Sequence, residues 1–325
     1  MPRFDLPLDE LRRYRPEVSE PADFDDFWER TLGEARAEQR ATTVAPAEPL
    51  LTTVEVRDVR FPGYAGEPIA AWLVLPRESS SPRGAVVQYV GYGGGRGHAH
   101  EHLAWASAGY AHLVMDTRGQ GSGWSIGQTA DPAGSGPAAP GMMTRGIESP
   151  ETYYYRRLIT DAVRAVDALR GLDLVDPDRV AVTGGSQGGG LALAVAGILP
   201  DVWALAADVP FLCHFERAVG MTDAYPYREI GDYLRVHRGD VDRAFSTLAY
   251  FDGVNFARRA VAPALFSAAL EDTICPPSTV FAAANHYSGP SEVDVYPFNA
   301  HEGGGPERWR RQAEWLSSIS PRVED

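Results

Sequence analysis

Hydrophobic and polar positions follow two regimes along this chain, and the change falls near Pro82. Before it, Leu6, Leu8, Leu11 and Tyr14, then Phe24, Phe27, Trp28 and Leu32, recur at helical spacing. Pro16 and Pro21 interrupt them, which predicts two short helices around a turn and an N-terminal helical extension over 1–40. Residues 51–61 alternate as an antiparallel strand with one wet face does, and 69–76 form a second strand, with Gly63 and Gly66 supplying the turn. After Pro82 the apolar residues gather in short runs at 85–90, 112–116, 180–183, 204–209 and 264–268, with a last strand at 292–296. Helical patterns lie between several of them, at 155–169, 190–199 and 278–286. Short apolar runs alternating with helices predict a mostly parallel central sheet covered by helices on both faces. The segment 211–262 breaks the alternation, is rich in aromatic residues, and reads as a helical cap-like insertion within a single domain spanning 1–325.

Composition narrows the function classes. Hydrophobic residues make up 44% and charged residues 23%, an ordinary globular balance that argues against a disordered chain. Lys+Arg 30 against Asp+Glu 44 gives a net charge of -14, a surface that repels polyphosphates and anionic membranes, so nucleic-acid and membrane partners are not expected. Cys213 and Cys275 stand alone, with no disulfide framework and no CxxC metal pair, as suits a reduced compartment. The first residues carry no apolar leader core and no run approaches the ~18 residues of a membrane span, so a soluble, cytoplasmic protein is expected.

Gly184-Gly185-Ser186-Gln187-Gly188 satisfies G-x-S-x-G between a β-branched strand and an Ala/Leu/Val helix, the context a nucleophile elbow requires. With two antiparallel strands leading into five or six parallel ones, this is the order of an α/β-hydrolase. Such a fold presents its triad as serine, acid, then histidine. Asp272 follows the strand at 264–268 and is preferred to its neighbour Glu271 as the acid. Among the histidines, only His286 and His301 come late enough. His286 sits inside a helical pattern, whereas His301 lies in a loop beyond the last strand and is the expected base. Gln187 N–H at the helix start is the first expected oxyanion donor. Tyr92 N–H, in the glycine-rich loop 91–97, is the second. That loop lacks the G-K-[ST] of a phosphate-binding turn. The cluster His98-Ala99-His100-Glu101-His102 runs from this loop into a helix, where alternate residues do not share a face. A solvated or capping role is therefore preferred there to a metal site, and no metal or other cofactor is expected. Cys275 lacks an elbow and reads as a buried thiol lining the pocket.

Taken together, Arg118-Gly119-Gln120, Gly184-Gly185-Ser186-Gln187-Gly188 and His301-Glu302 resemble carbohydrate esterase family seven, the acetyl xylan esterases and cephalosporin C deacetylases. The likeness runs from Leu6 to the C-terminal helix. It implies a serine esterase removing acetyl groups from small, varied substrates, with Ser186, Asp272 and His301 as triad and Tyr92 and Gln187 at the oxyanion. It further implies that Phe211, Pro226, Ile274 and Cys275 line a small acyl pocket with Tyr92, and that the chain assembles as a homohexamer. Arg118, Gln120 and Glu302 are expected to be structural: a charged pair and an amide holding the loop around His301. The chain departs from a family stretch resembling G-D-T-P-D, reading Gly127-Gln128-Thr129-Ala130-Asp131, which bears on assembly or substrate access more than on chemistry. The rival readings are an acyltransferase or a metabolite-specific deacetylase on the same triad, and a non-catalytic binding protein that kept the fold.

Overall fold

A computed structural model describes residues 4–77, 84–133, 136 and 138–320. Pro82 and the first three residues, on which the change of pattern and part of the leader argument rest, lie outside the described residues, as do 321–325. The helical N-terminus consists of α1 (Leu8–Leu11) and α2 (Phe24–Ala37). The strands are β1 (Thr43–Ala47), β2 (Val54–Pro62), β3 (Pro68–Pro76), β4 (Ala85–Tyr89), β5 (Ala111–Met115), β6 (Val180–Gly185), β7 (Ala204–Asp208), β8 (Ala264–Ala269) and β9 (Ser291–Tyr296). Among the described residues they form one sheet in the order β1-β2-β3-β5-β4-β6-β7-β8-β9. Pairing is antiparallel from β1 through β3 to β5 and parallel from β5 to β9.

The runs that read as buried strands are buried: every residue of β5 and of β8 is covered. Helices on both faces leave those strands no wet side. β1 is the strand the pattern did not announce. It lies at the sheet edge, holds Pro46, and among the described residues pairs only with β2. Its side chains are exposed or half-exposed, with Val44 and Ala47 packing against the core, and no alternation marks it.

Between the parallel strands run α3 (Ala104–Ser107), α4 (Tyr154–Arg170), α5 (Gln187–Ile198), α6 (Phe215–Met221), α7 (Tyr227–Val236), α8 (Val241–Ala249), α9 (Gly253–Ala257) and α10 (Pro277–His286), and α11 (Glu307–Ser318) follows β9. α5 is apolar on all sides and almost wholly buried. Its glycines admit close neighbours: a Cβ on Gly188 would stand 2.2 Å from Tyr89 O, and one on Gly197 2.5 Å from Phe256 O. The second contact shows that the 211–262 segment is not all cap. α6 packs on α7, α8 and α10, while α9 packs on α5 as part of the core. The N-terminal extension docks there as well. Trp28 lies 5.7 Å from Phe251 and 5.5 Å from Phe256, ring to ring, and its indole N–H donates to Tyr250 O at 3.1 Å.

Candidate active site

Ser186 stands between β6 and α5 at φ 55° and ψ -120°, a left-handed conformation that costs any residue with a Cβ. Its neighbours hold it there. Ser186 N–H donates to Asp208 O and Ser186 O accepts from Phe211 N–H, each at 2.9 Å. Gly184 is required by close approach, since a Cβ would meet the Gly188 backbone at 2.4 Å. The side chain is half-exposed beside the amino end of a 12-residue helix, where unpaired N–H groups favour developing negative charge.

Asp272 follows β8 and is fully buried. Its Oδ1 accepts from Ile274 N–H at 2.8 Å and Cys275 N–H at 2.9 Å, and its Oδ2 lies 2.8 Å from His301 Nδ1. With Nδ1 engaged, Nε2 is the nitrogen left for the cavity that Ser186 and His301 both line. Leu270 N–H to Tyr296 O at 3.0 Å and Glu271 N–H to Asn299 O at 3.1 Å tie the acid loop to the histidine loop. His286, the other late histidine, is buried in α10 with Nδ1 2.8 Å from Ala282 O, away from this group.

Burial pushes the Cys275 thiol well above its ordinary range, while a hydrogen bond with the Ser186 hydroxyl pulls the other way. One ligand atom each of Asp272, Cys275 and His301 lies within 4.8 Å of the others, a set of types that suits a thiophilic cation. Two of the three are already each other's partners, and the third is held protonated, so the arrangement reads as an acid–base relay beside a thiol.

The loop after β4 forms a tight turn, Gly94 N–H to Gly91 O at 3.1 Å. Tyr92 N–H has no protein acceptor among the described residues. The phenol of Tyr92 donates to Glu229 Oε1 at 2.7 Å and accepts from Met142 N–H at 2.6 Å. Glu229, on α7, also accepts from Met143 N–H at 2.9 Å, and burial raises its carboxyl above the ordinary range. Sequence reasoning missed Glu229, because an acid in the first turn of a helix looks like routine complement to the helix dipole.

The cavity has a volume of about 930 Å³, and Tyr92, Pro226 and Ile274 line it. Two residues expected on its surface are set behind it. Phe211 and Cys275 are 0% and 1% exposed, and Phe211 packs edge-on to Tyr92 with ring centroids 6.4 Å apart. Both back the wall without forming it. Exposed Trp124, Ile126 and Tyr225 surround the cavity on its outer side, positions that carried no signal in the sequence. In the histidine cluster, His98 and His100 stack on each other at 5.3 Å, and Glu101 caps His98 N–H at 2.8 Å. His102 turns inward to Arg96 O at 2.9 Å.

The expected charged pair between Arg118 and Glu302 is corrected. Arg118 is fully buried, and its described ion partners are Asp161, Glu67 and Asp131. Glu302 acts locally, accepting from Asn299 Nδ2 at 2.8 Å and Ala300 N–H at 3.1 Å, so it alone of the three steadies the His301 loop. The bond from Asn299 holds its carboxyl below the ordinary range. Gln120 lies on the other side of the site and bonds Gly93 N–H and Gln187. The divergent stretch 127–131 is structural: Gln128 Oε1 accepts from Arg96 at 2.8 Å, and Asp131 holds Arg157 through bonds of 2.8 and 2.9 Å.

One protein family, acetyl xylan esterase (AXE1), matches residues 1–319. The fold is similar to that of the acetyl xylan esterase from Paenibacillus sp. R4, with 39% identity, a TM-score of 0.91, and coverage of 96% of this chain and 99% of that one. It is likewise similar to acetyl xylan esterase 1 from Thermoanaerobacterium sp. JW/SL YS485, with 31% identity, a TM-score of 0.90, and coverage of 98% and 100%. The acetyl esterase Axe7A of Xylanibacter ruminicola is 27% identical over 88% of this chain, which spans 65% of that relative's length.

Proposed function

The chain belongs to the acetyl xylan esterase family, a family of carboxylic ester hydrolases of the α/β-hydrolase fold, and from that premise we propose that it hydrolyses acetyl esters of small substrates through an acetyl-enzyme on Ser186. The observation that carries the assignment of residues is the 2.8 Å bond from His301 to the buried Asp272, opening onto the cavity that holds Ser186. His301 takes the Ser186 proton as Oγ attacks the acetyl carbonyl. Tyr92 N–H and Gln187 N–H receive the oxyanion, each contributing about 3 kcal/mol at the transition state. His301 then protonates the leaving alcohol and activates the water that releases acetate. Asp272 keeps the imidazole in the tautomer this requires, and the cycle draws on no cofactor. Water is the acceptor in this reading; transfer to another alcohol is not favoured by a family of esterases.

Tyr92, Pro226 and Ile274, with Phe211 packed against Tyr92, are read as shaping a pocket for a short acyl group. Acetylated xylo-oligosaccharides and cephalosporin C-like compounds are the substrates this reading expects. The same reading takes residues 1–325 as one domain, working in the cytoplasm as a homohexamer, with the two buried free thiols suited to a reducing compartment. Among the described residues no helix is long and apolar enough to cross a membrane. The test is turnover of p-nitrophenyl acetate and p-nitrophenyl butyrate. Acetate release is expected to vanish in Ser186→Ala and to exceed butyrate release in the parent protein. Undiminished turnover by Ser186→Ala would end the proposal, and equal rates on the two esters would end its narrow-pocket part.

A further inference from the structure

The two proposed oxyanion donors sit on separate elements, the loop after β4 and the first residue of α5, and their spacing decides whether both reach one oxygen. Gln120, in the loop after β5, touches both. Its Oε1 accepts Gly93 N–H at 2.6 Å, and its Nε2 donates to Gln187 Oε1 at 2.9 Å and to the Tyr154 hydroxyl at 2.9 Å. The orientation of the amide follows from its partners, since Gly93 N–H is only a donor. On the far side, the fully buried Gln187 is held by Tyr155 OH at 2.9 Å, and its Nε2 donates to Val90 O at 3.2 Å. The peptide between Tyr92 and Gly93 is held at both polar atoms: Trp124 Nε1 donates to Tyr92 O at 2.8 Å, and Gln120 accepts from the Gly93 nitrogen.

We propose that Gln120 is a positioning residue for ester hydrolysis: its single amide bridges the loop after β4 and the start of α5 and sets the separation of Tyr92 N–H and Gln187 N–H. This rests on the oxyanion assignment above. The position needs a group that accepts from Gly93 and donates to Gln187 at the same time. Glutamate supplies only the first bond and methionine neither, although both have a side chain of similar length. Gln120 touches no reacting atom, so its removal misplaces the donors without emptying the site.

The experiment compares the parent protein, Gln120→Met and Gln120→Glu. For each, kcat and KM for p-nitrophenyl acetate are measured, together with the inhibition constant of methylboronic acid, whose tetrahedral serine adduct carries an oxygen into the oxyanion site. Rates are divided by the concentration of sites titrated to completion with a fluorophosphonate, so that misfolded protein does not count. The expected result for Gln120→Met is a fall in kcat of about 100-fold, the loss typical of one oxyanion donor, with KM almost unchanged and boronate binding weakened in parallel. Gln120→Glu should recover part of the loss through the Gly93 bond. A per-site kcat equal to the parent's, or a change confined to KM, would overturn the proposal. So would a boronate affinity that stays constant while kcat falls. If the parent protein fails to turn over the ester, or Ser186→Ala retains activity, it is the functional reading that fails. A fully active Gln120→Met in a serine-dependent enzyme defeats this inference alone.

Discussion

Replacing Arg118 by methionine keeps the side chain's bulk and removes only its charge and donors. The residue is wholly buried. It makes two bonds to Asp161, at 2.5 and 2.8 Å, one to Glu67 at 2.5 Å, and a longer one to Asp131 at 3.3 Å. Arg157 holds Asp131 as well, so two guanidinium groups face three carboxylates. After the substitution one faces three, and Asp161, itself fully buried, keeps only the Tyr64 N–H at 2.8 Å among its described donors. Breaking a buried ion pair from one side costs about 3–5 kcal/mol, because the partner's charge stays desolvated. Burial already raises the Asp161 carboxyl against the pull of Arg118, and without Arg118 the Tyr64 N–H is the main group left to oppose the rise. A carboxyl raised in the folded state weakens folding as pH climbs above the unfolded value of about 3.9, where the unfolded chain ionises first. On acidification Asp161 takes up a proton, and its uncompensated charge disappears. Urea unfolding of the parent and Arg118→Met at pH 8 and pH 5 tests this. The stability gap should be about 3–5 kcal/mol at pH 8 and clearly smaller at pH 5. A gap under about 1 kcal/mol at pH 8, the size of a surface pair, or one of equal size at both pH values, would refute the reasoning.

Asp272→Asn should cut kcat on p-nitrophenyl acetate by about 10⁴-fold while leaving the thermal midpoint little changed. A loss of less than about tenfold would mean that something else orients His301. Gly188→Ala should cost several kcal/mol in urea unfolding, since its methyl group would lie 2.2 Å from Tyr89 O, where neither backbone can give way. Gly220→Ala on α6, with nothing within 4 Å of the new methyl group, should hold or raise stability by about 0.4–1 kcal/mol. Equal effects of the two alanines would show that the packing of α5 on β4 is looser than its contacts imply.

Local pattern was enough to place most elements, because burial on one or both sides of a strand or helix writes itself into spacing. Residues 155–169 became α4 and 264–268 became β8 with ends shifted by a residue or so. Chain order narrowed the acid to Asp272 or Glu271 and the base to His286 or His301, and the structure joins Asp272 to His301 because the loops that follow β8 and β9 lie side by side at the same edge of a parallel sheet. The sequence by itself therefore determined the architecture and the chemistry-bearing residue types. What it left open were partnerships among polar side chains far apart in the chain. Arg118 belongs to Asp161 and Glu67, not to Glu302; Glu229 reaches Tyr92; Gln120 reaches Gln187; Phe211 and Cys275 sit behind the pocket wall. Only the tertiary structure decided these, because a hydrogen-bonding side chain leaves no periodic trace and its partner is selected by how whole layers pack.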